Sequence, residues 1–181
     1  MRNLQELRKQ FTTYKILPID WLGDSPTRFD DYTRYAQNCE SILELGVYTG
    51  LATTAFLLAQ PKKLTSIDLT SQFMTVLDEL KITATKQGTL FELIVMNDLE
   101  FMSESHDLLF IDTTHTYEQT TQELEIFGQK TNKRIVLHDI ASHIGVYQAV
   151  FEWLWKNKNF YISEHDNRGD GVIVLQRYVG A

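Results

Sequence analysis

Short apolar runs alternating with helix-spaced segments predict an α/β fold. The expected architecture is a seven-stranded, mostly parallel sheet with helices on both faces and a C-terminal antiparallel hairpin. Three observations carry this. From residue 41 onward, five strand-like runs are each followed by a helical or turn segment. Nearly every run ends in a polar or acidic residue: Glu44, Asp68, Asp98, Asp112 and Asp139. The last two runs, 160–163 and 172–176, are joined by a helix-free stretch too short for a crossover, so they form a hairpin.

At 181 residues and 43% hydrophobic content, the chain suits one soluble domain with its own core. No apolar run approaches the roughly 20 residues that span a bilayer. Residues 1–10 are polar and mixed in charge, which fits neither a signal peptide nor a membrane anchor. Cys39 is the single cysteine, so no disulfide can form within the chain, and a reducing cytoplasm is the expected compartment. The net charge of −7 is spread along the chain and argues against a nucleic-acid partner. Residues 130–134 are the nearest approach to a basic patch and are expected to be a solvated loop.

Taken in order, residues 2–12 have helical spacing, with Leu4, Leu7 and Phe11 on one side. Pro18 and Gly23 mark residues 16–23 as an irregular connection. Ser25 before Pro26 reads as an N-cap with proline at the first helical position, opening a helix to about residue 38. Its Phe29, Tyr32 and Tyr35 recur at threes and are expected on the core, the alternative being a wall over a pocket. Residues 1–40 are thus a helical extension of a domain spanning 41–181.

Strands follow at 42–45, 63–68, 90–96, 107–112 and 134–139. Helices are expected at 51–59 (stopped by Gln60 and Pro61), 72–86, 117–127 (stopped by Gly128) and 145–156, with a helical turn at 99–102. Phe73, Val76, Leu77 and Leu80 share one face of the second of these; Val146, Val150, Phe151 and Leu154 stripe the last. Trp153 and Trp155 lie two apart on that helix and cannot share a face, so one is assigned to the core and the other to a subunit contact in a homo-oligomer.

The first strand ends in Glu44-Leu-Gly-Val-Tyr-Thr-Gly50. A glycine turn between strand and helix aims backbone N–H groups and a helix N-terminus at the carboxyl edge of the sheet. The spacing Gly-x-x-x-Gly departs from the dinucleotide fingerprint, which weighs against a nicotinamide cofactor. Alone it describes an ordinary turn equally well. Asp68, 18 residues after Gly50, is at the separation a βαβ unit requires.

This stretch resembles the first motif, Glu/Asp-x-Gly-x-x-x-Gly, of the class I S-adenosylmethionine-dependent methyltransferases, whose Rossmann-like sheet also closes with one reversed strand. The resemblance covers residues 41–181. It implies S-adenosyl-L-methionine as cofactor. Glu44, Gly46 and Gly50 would lie beneath its methionine part, Asp68 on its ribose hydroxyls, and Asp98 or the neighbouring Asn97 on its adenine amino group; Asp112 joins this set. A carboxylate suits a diol that donates two hydrogen bonds, and a negative rim suits a sulfonium cation.

Asp112 with His115, and His138 with Asp139, form a second constellation that parallel strands would bring to the same rim. Asp and His suit a divalent cation. They equally suit general-base chemistry, in which a carboxylate orients an imidazole. For either histidine alone a cap or a satisfied strand end is the simpler reading. The pattern is similar to the small-molecule O-methyltransferase branch of the superfamily, the methyltransferase family 24-like members included. That likeness implies a hydroxyl acceptor of sugar or natural-product type. It makes His115 the base, where catechol-type relatives have Lys, and places His138 and Asp139 beside it in the chemistry. It implies Mg²⁺ or another divalent cation on Asp112, Asp139 and His138. Ile140 stands where catechol-type relatives have a ligating Asn, which leaves a metal-free site open. A cofactor-binding protein of the same fold that transfers no methyl group is the second reading. His106, His143 and His165 are expected at the surface, with His143 close enough in sequence to reach the rim; Arg168 and Asp170 are expected in a solvated hairpin turn, the alternative being that they reach the pocket.

Overall fold

Alternation along each strand sorts the core into two layers, one on each face of the sheet. In a computed structural model that describes residues 3–12, 25–72 and 76–180, β1 (Ser41–Leu45) sends Ile42 to one layer and Leu43 to the other. β4 (His106–Ile111) does the same with Leu108 and Leu109, and β5 (Thr131–His138) with Val136 and Leu137. Strands buried on both faces read as continuous apolar runs, as a covered parallel sheet requires. β2 (Lys63–Asp68) lies beside β1. β3 (Leu90–Val95) is the edge strand on the β2 side and is correspondingly more exposed.

The seven strands run in the order β3-β2-β1-β4-β5-β7-β6. β1 to β5 pair in parallel, while β7 (Val172–Arg177) is antiparallel both to β5 and to β6 (Phe160–Asp166). The chain reverses direction across the sheet between β1 and β4, the switch point at which the crevice beyond the carboxyl ends opens. The predicted hairpin is therefore present. β6 is longer than expected and reaches Asp166, which shortens the connecting loop.

α1 (Leu4–Thr12), α2 (Ser25–Ala36), α3 (Leu51–Leu58) and α4 (Leu77–Gln87) supply one layer. α5 (Tyr117–Phe127) and α6 (Ile144–Lys156) supply the other. Leu4, Leu7, Phe29, Tyr32 and Tyr35 pack with Phe56 and Phe110, so the aromatic repeat of α2 is core. The side chains of Phe11 and Ser25, the connection at 16–23 and Phe73 lie outside the described residues. No helix among the described residues is long and apolar enough to cross a membrane.

Three local expectations are corrected. The helix expected from residue 72 begins at Leu77, with Val76 as its N-cap. α5 ends at Phe127 with Gly128 as its C-cap, as expected. The Gly128 φ of −58° is right-handed and leads into a 3₁₀ turn, Gly128–Lys130. Glycine is needed there because a Cβ would stand 2.5 Å from Cζ2 of the Trp153 indole. The basic stretch is no solvated loop but the start of β5: Lys133 pairs with Asp107 at 3.0 Å, and Arg134 donates to the Tyr35 carbonyl. His106 is buried, its ring nitrogens meeting the Glu104 carbonyl at 3.1 Å and the Thr131 hydroxyl at 2.9 Å. Of the two tryptophans, Trp153 is the core residue, and Trp155 is exposed.

Burial pushes the His106 imidazole down to about 4. The unfolded ring titrates near 6.5, so between these values the unfolded chain binds the extra proton and stability falls as pH drops. Urea unfolding at pH 7 and pH 4.5 should show wild type losing roughly 1–3 kcal/mol more than His106→Asn over that interval. Equal losses in the two proteins would show that His106 does not contribute.

Candidate active site

The glycine turn is built by a steric demand. Gly46 has φ +82°, and a Cβ on it would stand 1.9 Å from the Asp112 carbonyl oxygen. Two backbone bonds lock this approach: the Gly46 N–H donates to the Ile67 carbonyl and the Asp112 N–H to the Leu45 carbonyl, both at 2.9 Å. Gly50, at φ +84°, is the left-handed N-cap of α3, and its N–H donates to the Val47 carbonyl. Between them, the Val47 and Tyr48 N–H groups donate to Asp68 Oδ2 at 2.8 and 3.0 Å, and the Thr70 N–H donates to Oδ1 at 3.0 Å. A carboxylate has about four acceptor positions, and three of these are used by the loop.

A cavity of about 580 Å³ opens where β1 to β5 end. Gly46, Val47, Tyr48 and Asp68 form one end, Met96, Asn97 and Asp98 another, and Asp112, His115, His138 and Asp139 the far wall. Of the residues expected around a cofactor, Gly46, Asp68, Asn97, Asp98 and Asp112 line this space, whereas Glu44 and Gly50 do not. Glu44 is instead fully buried behind the turn and accepts hydrogen bonds from the Thr53 and Ser66 hydroxyls. Its side chain lies beneath the turn, between α3 and β2, where these two hydroxyls reach it. Burial pushes its carboxyl up to about 8, so it is neutral at pH 7.

At the second end, the Asn97 side chain accepts from the Leu99 N–H and caps a 3₁₀ turn. The Asp98 carboxylate accepts from the Gln119 amide at 3.1 and 3.2 Å. The same amide reaches Glu123 at 2.9 Å, and the Thr113 hydroxyl donates to Glu123 at 2.6 Å. Burial holds the Glu123 carboxyl up at about 8. Gln119 and Glu123 were not singled out from the sequence. The i,i+4 spacing on α5 was visible, but nothing local indicated that this face turns toward the sheet edge.

The far wall is a ring of four side chains. His115 Nε2 is 3.1 Å from Asp112 and 2.8 Å from Asp139. His138 Nδ1 is 2.9 Å from Asp139 and 3.5 Å from Asp112. His115 and Asp139 both hold positive φ, +56° and +62°, a strained conformation for such residues and one that clusters at functional sites. Burial works against a charged His115, but the two carboxylates outweigh it and hold the ring at about 9. Burial opposes a charged His138 as well, and Asp112 prevails, lifting it well above the usual range. Both carboxyl groups are held below theirs: burial is outweighed for Asp112 chiefly by the charge on His138, and for Asp139 by bonds from His115 and His138.

For two residues the alternative reading, that they reach the site, holds. His143 is exposed, as predicted, yet its ring lies over His115 at 4.8 Å and its Nδ1 is 3.7 Å from Asp139. Asp170, assigned to a solvated turn, lines the cavity. Ser142 completes the shell by donating to Asp139 at 2.9 Å.

Residues 43–140 match the family model described as a methyltransferase domain. No curated protein matches the chain in sequence. Among solved structures, it is similar to an O-methyltransferase from Bacillus cereus in complex with SAH, at 11% identity and a TM-score of 0.66, covering 97% of this chain and 89% of that one. It is similar to cofactor-bound Rv0187 from MTB, at 13% identity and a TM-score of 0.69, covering 96% and 89%. It is similar to the SAH-bound methyltransferase PaMTH1 of Podospora anserina, at 13% identity and a TM-score of 0.62, covering 98% and 89%. At these identities the likeness is one of fold.

A neutral Glu44 predicts that Glu44→Gln is nearly silent and Glu44→Ala is not. In urea melts at pH 7 the first should cost under about 1 kcal/mol and the second about 2–4 kcal/mol, because it leaves a void and two buried hydroxyls without their acceptor. A Gln variant as damaging as Ala would mean that the buried group is ionised.

Proposed function

The chain belongs to this methyltransferase-domain family, and we propose that it transfers a methyl group from S-adenosyl-L-methionine to a hydroxyl of a small molecule. The observation that carries the reading is that one cavity is lined by both the glycine turn and the Asp112–His115–His138–Asp139 ring. The adenine would lie against Asn97 and Asp98. As the turn stands, Asp68 has one acceptor position left for a ribose hydroxyl, the other three being engaged by the loop. The methionine part would rest on Gly46, next to Asp112.

Methyl transfer is an in-line displacement: the acceptor oxygen bonds to the methyl carbon as the carbon–sulfur bond breaks. The sulfonium becomes a neutral thioether, and the acceptor proton must leave. The structural relatives bound to SAH carry the demethylated form of the cofactor that this step would release. Neutral His115 would take the acceptor proton, and Asp112 and Asp139, both on its Nε2, would then hold the imidazolium. Positioning supplies much of the catalysis in a step of this kind.

A divalent cation fits the same wall. Asp112, His138 and Asp139 each offer a ligand atom, all within 4.8 Å of one another. Those three residues would hold it, and it would lower the acceptor hydroxyl's pKa. The mixed nitrogen and oxygen set suits a borderline ion better than Mg²⁺, which prefers oxygen alone. The lining residues include no Lys or Arg, which supports a small acceptor over a nucleic acid.

The second reading, a cofactor-binding protein without turnover, is favoured by one observation: His115 is held as an imidazolium at neutral pH. The two readings separate on pH. If neutral His115 is the base, methyl transfer followed as SAH release should rise about tenfold per pH unit and level off near 9. His115→Ala should lose this limb while binding SAH as wild type does. Calorimetry that shows cofactor binding, with no release of SAH across pH 7–9.5 on a broad hydroxyl panel, would favour the second reading. Absence of cofactor binding would end both.

A further inference from the structure

Five aspartates line the cavity, and no lysine or arginine does. Four of the five are already engaged. Asp68 is held by loop N–H groups, Asp98 by the Gln119 amide, and Asp112 and Asp139 by the imidazoles of His115 and His138. Among the described residues the Asp170 carboxylate has no hydrogen-bond or ion-pair partner.

This carboxylate does not sit on a loose turn. Arg28 of α2 is fully buried, and its guanidinium donates to the Asp166 carboxylate at 2.7 Å and to the Arg168 carbonyl. Those contacts fix the near side of the β6–β7 loop. On the far side the Asp170 carbonyl accepts from the Ala141 N–H at 2.8 Å and the Ser142 N–H at 3.4 Å. Gly171, at φ +83°, lies so close that a Cβ would stand 2.7 Å from the Ala141 Cβ. Ala141 and Ser142 directly follow Asp139. Asp170 is thereby anchored on the acceptor side of the cavity.

We propose that Asp170 selects the acceptor, and that the acceptor is a hydroxyl compound carrying an ammonium group. The proposal rests on the methyltransferase reading and names its substrate class. A neutral ligand covering Asp170 would strip water from a charge and offer nothing in return, and an anion would add repulsion. An ammonium group satisfies the carboxylate through a charge-assisted hydrogen bond while its hydroxyl faces His115.

The test is calorimetry on the full chain saturated with SAH, using two matched sets. One is glucosamine, N-acetylglucosamine and glucuronate; the other is tyramine, N-acetyltyramine and 4-hydroxyphenylpropionate. In at least one set the ammonium member should bind at least tenfold tighter than its N-acetyl partner, with the anion weakest. Asp170→Asn should cut that preference below threefold, leaving SAH affinity unchanged, and Asp170→Glu should restore part of it. The proposal is overturned if no ammonium member binds, if a neutral or anionic member is preferred in both sets, or if Asp170→Asn leaves the preference intact. It is equally overturned if Mg²⁺ alone binds the SAH complex and loses that binding in Asp170→Asn. Turnover with an anionic acceptor would sink this proposal and leave the methyltransferase reading standing. The predicted binding preference without any turnover would remove the methyltransferase reading and the acceptor assignment with it, leaving only ammonium binding at Asp170.

Discussion

The approach of Gly46 to the Asp112 carbonyl is the constraint on which the site depends. No side chain fits there, since even a Cβ would stand 1.9 Å from that oxygen. The gap places the end of β1 directly against the end of β4. The turn that aims N–H groups at the cavity and the strand that delivers Asp112 are thus two sides of one contact. A residue larger than glycine would separate them, and a cofactor resting on the turn would no longer sit beside the ring of carboxylates and imidazoles. Parallel strand order does the rest, because it aligns the ends of β2, β3 and β5 with this pair.

Each carboxylate at this edge is managed by a different physical means. Glu44, without access to water, is kept neutral by burial. Asp68 spends most of its acceptor capacity on loop N–H groups, so it builds the turn before it can bind anything. Asp112 and Asp139 are balanced by two imidazoles that they in turn hold protonated. An imidazolium at rest would have to lose its proton before it could act as the proposed base, which would make proton removal the step most sensitive to pH. It would also tie that role to whatever ligand or cation weakens the hold of His115 on the two carboxylates.

The fold was legible because its signals are local and repeated. Apolar runs that end at Glu44, Asp68, Asp112 and Asp139, and a connection after residue 163 too short for a helix, leave few other sheet topologies. The gathering of Asp112, His115, His138 and Asp139 followed from strand direction alone. Other features depended on which way a side chain faces, and a single sequence does not record that. Glu44 precedes the turn by two residues yet is buried beneath it against Thr53 and Ser66. Gly128 stops its helix as expected, but it is glycine because Trp153, 25 residues later, packs on it. Asp170 looked like part of a solvated turn because the buried arginine that anchors its loop, Arg28, lies on the distant α2.

The most direct test of the central claim is a crystal structure of the complex with SAH. The account predicts the adenine against Asn97 and Asp98, a ribose hydroxyl on Asp68, and the homocysteine part over Gly46 with its sulfur facing the Asp112–His115–His138–Asp139 ring. SAH bound away from this cavity, or lying in it with the sulfur turned from that ring, would contradict the account.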